Sequence, residues 1–331
     1  MRFNLGLDKY SGLYLGALFI IVFSFLAPQS FPTMSTVHLL TSTQAIAGLA
    51  ALALLVPMVA GQFDLSIGAT ANLAGMVTVM VQVDAGLQPL TAVALGVLVG
   101  AAVGFVNGFV VVRLHVSSFI ATLGMSSILA ALQVIVTGNV EPLPVDSELF
   151  ANLTQHTIFG FQMVVVYLVI VALVLWWVLE KTPAGRFLHA SGANPEAARL
   201  TGINVDRWSW IALTTSGAIS GFAGVLFVSL TGPSLSFGAS LLLPAFAAVF
   251  LGSTQLQPGR ANVWGTFVAI FVLAIGVQGL QLTTGEQWVA GMFNGVALLV
   301  AVALAASRER VGSRKGAQGT PADEAMAEAV T

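Results

Sequence analysis

The sequence has no cysteine and little charge, and both shortages exclude classes of function. None of its 331 residues is cysteine, so a disulfide framework, a thiolate zinc site and an iron–sulfur cluster are excluded. Its four histidines are scattered, with no acidic or histidine partner at ligand spacing, so we predict no metal site. No Gly-x-x-x-x-Gly-Lys-Ser/Thr loop is present, so the chain does not itself hold ATP phosphates.

Apolar residues dominate the rest of the composition. The chain is 57% hydrophobic and 8% charged, which is more apolar surface than a water-soluble domain can hide. We therefore predict an all-α integral membrane protein, because helices satisfy their own backbone hydrogen bonds in lipid. At about 17–25 residues a span, ten transmembrane helices are predicted, at residues 11–27, 38–60, 66–83, 90–111, 117–137, 161–180, 208–229, 240–255, 261–281 and 287–306.

The cationic residues indicate the orientation of these spans. With the N-terminus in the cytoplasm, all 12 Lys and Arg residues fall in cytoplasmic segments and none in the outward loops. We therefore predict cytoplasmic N- and C-termini. Pro28 directly after Ala27 makes a poor signal-peptide cleavage site, so the first span is predicted to stay uncleaved. The membrane domain is assigned to residues 1–306, with a cytoplasmic loop at 181–207 and a tail at 307–331 that is predicted to be disordered.

Two further features of the spans concern glycine and proline. Gly96, Gly100, Gly104 and Gly108 recur every four residues on the fourth span, a small-residue stripe that lets another helix approach closely. The glycines at 291 and 295, on the tenth span, are interpreted in the same way. The span at 240–255 is short and contains proline, which favours a broken or re-entrant helix.

Neutral amides are the main polar groups inside the spans. In lipid they must face other helices or a wet path, and they suit a route for a hydrated, uncharged solute. Hydrogen bonding between helices explains any single one of them equally well. The candidates for a translocation pathway or gate are Asp64, Ser66, Asn72, Asn107, Gln133 and Gln278.

Asp64 stands at a glycine-flanked break between the second and third spans and has two interpretations. It either caps the third helix or acts in the pathway or its gate. The carboxylates all map to span ends, which argues against a proton- or sodium-coupled carrier. The pattern Asp64-Leu-Ser-Ile-Gly-Ala follows the second span, and Ser234-Leu-Ser-Phe-Gly-Ala follows the seventh on the opposite side. This echo suggests an inverted repeat of spans 2–5 and 7–10.

A short helix with its own stop signals is predicted at residues 194–202 of the cytoplasmic loop. Asn194 suits the N-cap, Pro195 the first helical position and Gly202 a left-handed C′ residue. About two turns are not stable alone in water, so packing must hold the helix. One face, formed by Glu196, Arg199, Leu200 and Ile203, is predicted to contact a partner; the alternative is an ordinary capped loop helix.

From about residue 40 to 306, the chain resembles the permease subunits of bacterial ABC importers for ribose and related monosaccharides. Asp64-Leu-Ser-Ile-Gly68 resembles the signature G-G-I-D-L-S-V-G, although Gln62-Phe63 departs from it. Residues 194–203 resemble the cytoplasmic loop whose E-A-A-x-x-x-G core is the coupling helix. Further blocks follow in the order found in that family, at 104–108, 110–114, 119–124, 182–186, 247–254 and 259–266.

The resemblance implies a transport subunit of the bacterial cell membrane, with no enzymatic activity, that carries a small polar solute, first of all a monosaccharide. Its partners would be ABC ATPase subunits, an external solute-binding protein, a second permease copy in a homodimer or heterodimer, and membrane lipid, with no nucleic acid. ATP and Mg would lie on the ATPase, with no cofactor on this chain. The coupling role would fall on Asn194, Pro195, Glu196, Ala197, Ala198, Arg199 and Gly202.

Three alternatives differ from this interpretation in class or in cargo. A branched-chain amino-acid permease shares the architecture. A stand-alone secondary carrier or channel would need no ATPase and should show titratable groups within the membrane. A membrane enzyme is least favoured, because no nucleophile–base pair or metal cluster is visible and no catalytic residue is predicted.

Overall fold

The computed structural model describes the backbone of residues 7–317 and the side chains of residues 10–305. Helices make up most of this range, and one two-stranded antiparallel hairpin accompanies them. The elements are α1 (Leu7–Leu26), α2 (Met34–Val59), α3 (Ile67–Val83), α4 (Pro89–Arg113), α5 (Ser118–Thr137), α6 (Glu148–Gln155), β1 (Thr157–Ile158), β2 (Phe161–Gln162), α7 (Met163–Lys181), α8 (Pro183–Ala193), α9 (Pro195–Leu200), α10 (Val205–Thr231), α11 (Phe237–Ser253), α12 (Val263–Thr284) and α13 (Trp288–Ala317).

The predicted membrane spans coincide with ten of these helices. Seven are long and apolar enough to cross a bilayer, namely α2, α4, α5, α7, α10, α12 and α13. The other three, α1, α3 and α11, are apolar but shorter. The all-helical membrane architecture is therefore confirmed, while the number of complete crossings stays a prediction. The helices α6 and α8 and the hairpin are not predicted from the sequence, because such short elements give no long hydrophobic run.

Two features of the last third of the chain bear on the sequence predictions. The helix α11 is continuous from Phe237 to Ser253 with Pro244 inside it, so the predicted break is not found. Packed membrane helices tolerate an internal proline because their neighbours satisfy the freed backbone groups. The helix α13 runs on to Ala317, past the predicted domain end at 306, and residues 318–331 of the predicted tail lie outside the described part.

Helix packing follows the predicted inverted repeat. Within one half, α3 packs on α4 and α5; within the other, α11 packs on α12 and α13. Across the halves, α10 packs on α3 and α4, just as α2 packs on α11 and α12. Gly68 of α3 and Gly238 of α11 meet at the centre, where a Cβ on either would strike the other's carbonyl oxygen. These paired contacts are the ones that an inverted repeat would produce, and the repeat itself stays a prediction.

The glycine stripe of α4 forms the contact with α10. A Cβ on Gly100 would strike the carbonyl oxygen of Gly217, and one on Gly104 would strike that of Leu213. The packing role predicted for this stripe agrees with these contacts. Gly291 and Gly295 face no described atom within 4 Å, so no helix of the described chain packs on them and their packing role stays a prediction.

We predict that replacing a glycine by alanine is tolerated on α5 but destabilises the protein in the contact between α4 and α10. Gly100→Ala should destabilise the detergent-solubilised protein by about 1–3 kcal/mol, since the methyl group meets backbone that cannot move aside. Gly124→Ala is the matched control, because a Cβ there meets nothing within 4 Å. Alanine also has the higher helix propensity, which favours the folded state of this variant by up to about 1 kcal/mol. Thermal unfolding monitored by size-exclusion chromatography compares them; equal stability of both variants would contradict the assignment.

Candidate functional site

The segment between α2 and α3 turns back into the helix bundle. The backbone N–H groups of Phe63 and Leu65 donate to the hydroxyls of Ser118 and Thr122, each at 3.0 Å. Ser126 in turn donates to the carbonyl oxygen of Leu65 at 3.0 Å. Because the three hydroxyls lie on successive turns of α5, this segment climbs along that helix, away from its N-terminal end. We call residues 60–66 the return segment.

The return segment ends in a buried group of polar side chains, the carboxylate cluster, formed by Asp64, Ser66, Asn107 and Ser216. Asp64 is 1% exposed. Its Oδ1 accepts hydrogen bonds from the backbone N–H of Ser66 at 3.0 Å and from its hydroxyl at 2.6 Å, and its Oδ2 accepts from the hydroxyl of Ser216 at 2.8 Å. Asn107 Nδ2 donates to Ser66 Oγ at 2.9 Å. The cluster ties α3, α4 and α10 together.

The carboxylate cluster lies well inside the helix bundle. Ser216 is the twelfth residue of α10, so it lies about 16 Å along that helix from its start. Asp64 therefore lies at the span end where the sequence places it, and this end is buried inside the bundle. Hydropathy does not reveal a chain that reverses within the membrane. The N-cap residue of α3 is Ser66, so Asp64 does not cap that helix in the expected position.

A second group, the amide cluster, lies between α3, α5 and the start of α11. Asn72 Nδ2 donates to Gln133 Oε1 and, at 2.6 Å, to the carbonyl oxygen of Leu235. Gln133 Nε2 donates to the same carbonyl oxygen at 2.8 Å. Asn72 Oδ1 is buried and has no hydrogen-bond partner among the described residues. The two amides line a cavity of about 380 Å³.

The structure groups some of the predicted pathway residues and separates others. Asp64, Ser66 and Asn107 meet in one cluster, and Asn72 and Gln133 in the other. Gln278, partly buried on α12, forms no hydrogen bond to either cluster within the described range. Two parts of the site were not predicted. No local signal identifies Ser216. The hydroxyls of α5 could have been found, because they recur every four residues at 118, 122 and 126.

The short helix α9 has the predicted caps. Asn194 Oδ1 accepts from the backbone N–H of Ala197 at 3.0 Å, and Pro195 is the first helical residue. Gly202 has φ +85°, a conformation that favours glycine. Ala198 is buried against the protein, whereas Leu200 is 90% exposed. The helix is thus fixed on one side and presents an apolar side chain on the other.

The neighbouring helix α8 connects α9 to the return segment. Gly192 of α8 packs against the backbone of Val59 and Gly61, where α2 ends. Arg260 Nε donates to His189 Nδ1 at 3.1 Å, which joins α8 to the loop before α12. Burial and the nearby Arg260 lower the pKa of His189 to about 4, so its ring is neutral and accepts this bond at neutral pH. We call α8 and α9 the platform.

Comparison with known proteins places this arrangement in a family. Residues 36–302 match the family described as branched-chain amino acid transport system / permease component. The fructose import permease protein of Rhizobium meliloti is 30% identical over 87% of this chain and 82% of its own length. The ribose import permease protein of Escherichia coli (strain K12) is 32% identical over 86% of this chain and 89% of its own length.

A solved structure supports the same fold at greater distance. An ABC transporter described as of metal-chelate type, in an inward-facing conformation, aligns with a TM-score of 0.50 and 13% identity, covering 89% of this chain and 98% of that one. The family match spans more than half of the chain, and the chain covers more than four fifths of the length of both relatives. The chain therefore belongs to the branched-chain amino acid transport system / permease component family, a family of multi-pass membrane permeases of ABC importers.

Proposed function

We propose that this chain forms the translocation pathway of an ABC importer for a monosaccharide and is driven by separate ATPase subunits that dock on α9. The observation that carries the proposal is a capped, anchored helix at the predicted cytoplasmic face that exposes Leu200 almost completely. This side chain is available for an apolar contact on the helix that the sequence predicts to meet the ATPase.

The chemistry of the amide cluster supports an uncharged, hydroxylated solute. No charged side chain lines its cavity in the part of the chain described, and the free Asn72 Oδ1 is an acceptor for a hydroxyl group. A zwitterionic amino acid would need ionic partners in such a place. The relatives named for fructose, ribose and D-allose favour the same class of cargo.

The contacts between platform and return segment support a route for coupling. ATP binding and hydrolysis on the ATPases would move α9 and α8, and Gly192 would pass this movement to Gly61 at the start of the return segment. Asp64 and Ser66, at its inner end, would act as the gate that changes sides. In this proposal an external binding protein delivers the sugar and a second permease copy completes the pathway. This chain holds no cofactor, because ATP and Mg are bound by the ATPase.

Asn72→Leu should reduce uptake of the transported sugar about tenfold or more, because the acceptor in the cavity is lost. Uptake of labelled ribose, fructose and allose by cells or proteoliposomes that contain the whole importer provides the measurement. Leu242→Met, in the wall of the same cavity, is the control and should transport normally. Unchanged uptake by a folded Asn72→Leu protein would leave Asn72 a packing residue.

Leu200→Glu should reduce recovery of the ATPase with the permease about tenfold or more, because a charge enters an apolar contact. Co-purification in mild detergent and ATP hydrolysis of the eluate measure this. Phe159→Glu, at a 98% exposed position on the predicted outer side, is the matched control and should retain the ATPase. A Leu200→Glu protein that keeps its ATPase would contradict docking on α9.

Gly202→Val should abolish coupled transport while the protein stays in the membrane, because a β-branched residue costs about 1–2 kcal/mol at positive φ. Gly202→Asn is the control, since asparagine enters this region more readily. Sugar-dependent ATP hydrolysis in proteoliposomes separates coupling from assembly. Wild-type coupling in Gly202→Val would rule out a functional need for this cap.

A further inference from the structure

A cavity of about 830 Å³ lies between the cytoplasmic end of α4 and the start of α10, apart from both clusters. Its polar wall carries Arg113, from the last turn of α4, and Arg207, from the first turn of α10. Its apolar wall includes Phe105 and Ile211, which are both exposed on the outer side of the bundle. The cavity therefore runs from a charged rim onto an exposed apolar surface of the helix bundle.

The charge of this cavity is positive. Within residues 10–305, neither Arg113 nor Arg207 forms an ion pair. The carboxylate of Asp206, also in the wall, is neutralised by Arg199 at 2.9 Å. Arg113 lies 6.0 Å from the ring centroid of Trp210, whose Nε1 donates to the carbonyl oxygen of Phe105 at 3.0 Å. One guanidinium group thus lies beside a fixed indole ring, and a second lines the same cavity.

We propose that this cavity binds the head group of an anionic phospholipid from the cytoplasmic leaflet. Guanidinium groups bind phosphate oxygens through paired N–H donors, and basic pockets between membrane helices on the cytoplasmic side suit anionic head groups. Tryptophan sits preferentially at the level where head groups meet the acyl chains. The acyl chains lie along Phe105 and Ile211, which is why the site takes a lipid in preference to a soluble phosphate.

Native mass spectrometry of the full chain in mild detergent, titrated with dioleoyl phosphatidylglycerol, tests the proposal. We expect Arg113→Gln combined with Arg207→Gln to weaken binding on the order of tenfold or more, because two basic groups near the surface are lost. Lys181→Gln is the matched control: Lys181 also lies by a tryptophan, 5.5 Å from the ring of Trp176, but lines no part of this cavity. It should bind the lipid like the wild type.

A variant that should bind the lipid more tightly keeps the test independent of misfolding, since misfolding would only weaken binding. Asp206→Asn removes the carboxylate and releases Arg199, so we expect tighter binding of phosphatidylglycerol. Titrations with dioleoyl phosphatidylcholine and with sn-glycerol 3-phosphate define the ligand class, and both should bind weakly. Equal affinity of the double variant and the wild type, or of the phosphatidylglycerol and either comparison ligand, would overturn the proposal.

Discussion

Backbone polar groups inside a lipid-embedded bundle need partners within the protein, and the return segment meets this need with the hydroxyls of α5. Without Ser118, Thr122 and Ser126, residues 60–66 would bring unpaired N–H and C=O groups into the apolar interior, at a cost of several kcal/mol for each group. These bonds let the chain reverse within the bundle. As a result α3 begins at depth, and Asp64 is carried there with it.

The contact between Gly68 and Gly238 brings together the starts of α3 and α11, one from each half of the protein. Only residues without a Cβ let the starts of α3 and α11 meet, because each Cβ site is occupied by the carbonyl oxygen of the other glycine. Two helix N-termini, each with a partial positive charge, therefore face the centre. The amide cluster lies beside them and uses the carbonyl oxygen of Leu235, just before α11, as its shared acceptor. The polar site thus lies where α3 and α11 begin.

Few elements connect the proposed pathway at the centre with the proposed docking surface for the ATPase. The platform touches the start of the return segment, and the inner end of that segment belongs to the carboxylate cluster. A movement of α9 has a short path to the interior for this reason. The proposed lipid site shares Asp206 with this region through its bond to Arg199, so a bound head group lies next to the surface on which the ATPase is proposed to dock.

The sequence by itself determined the membrane class, the positions of the long helices, the glycine stripe of α4 and the caps of α9. Each of these depends on composition, local spacing or the conformational preference of one residue, such as Gly202. Only the tertiary structure decided the depth of Asp64, its bond to Ser216 and the separation of Gln278 from the other amides. Such contacts join residues more than 100 positions apart, and side-chain identity alone does not state which helices become neighbours.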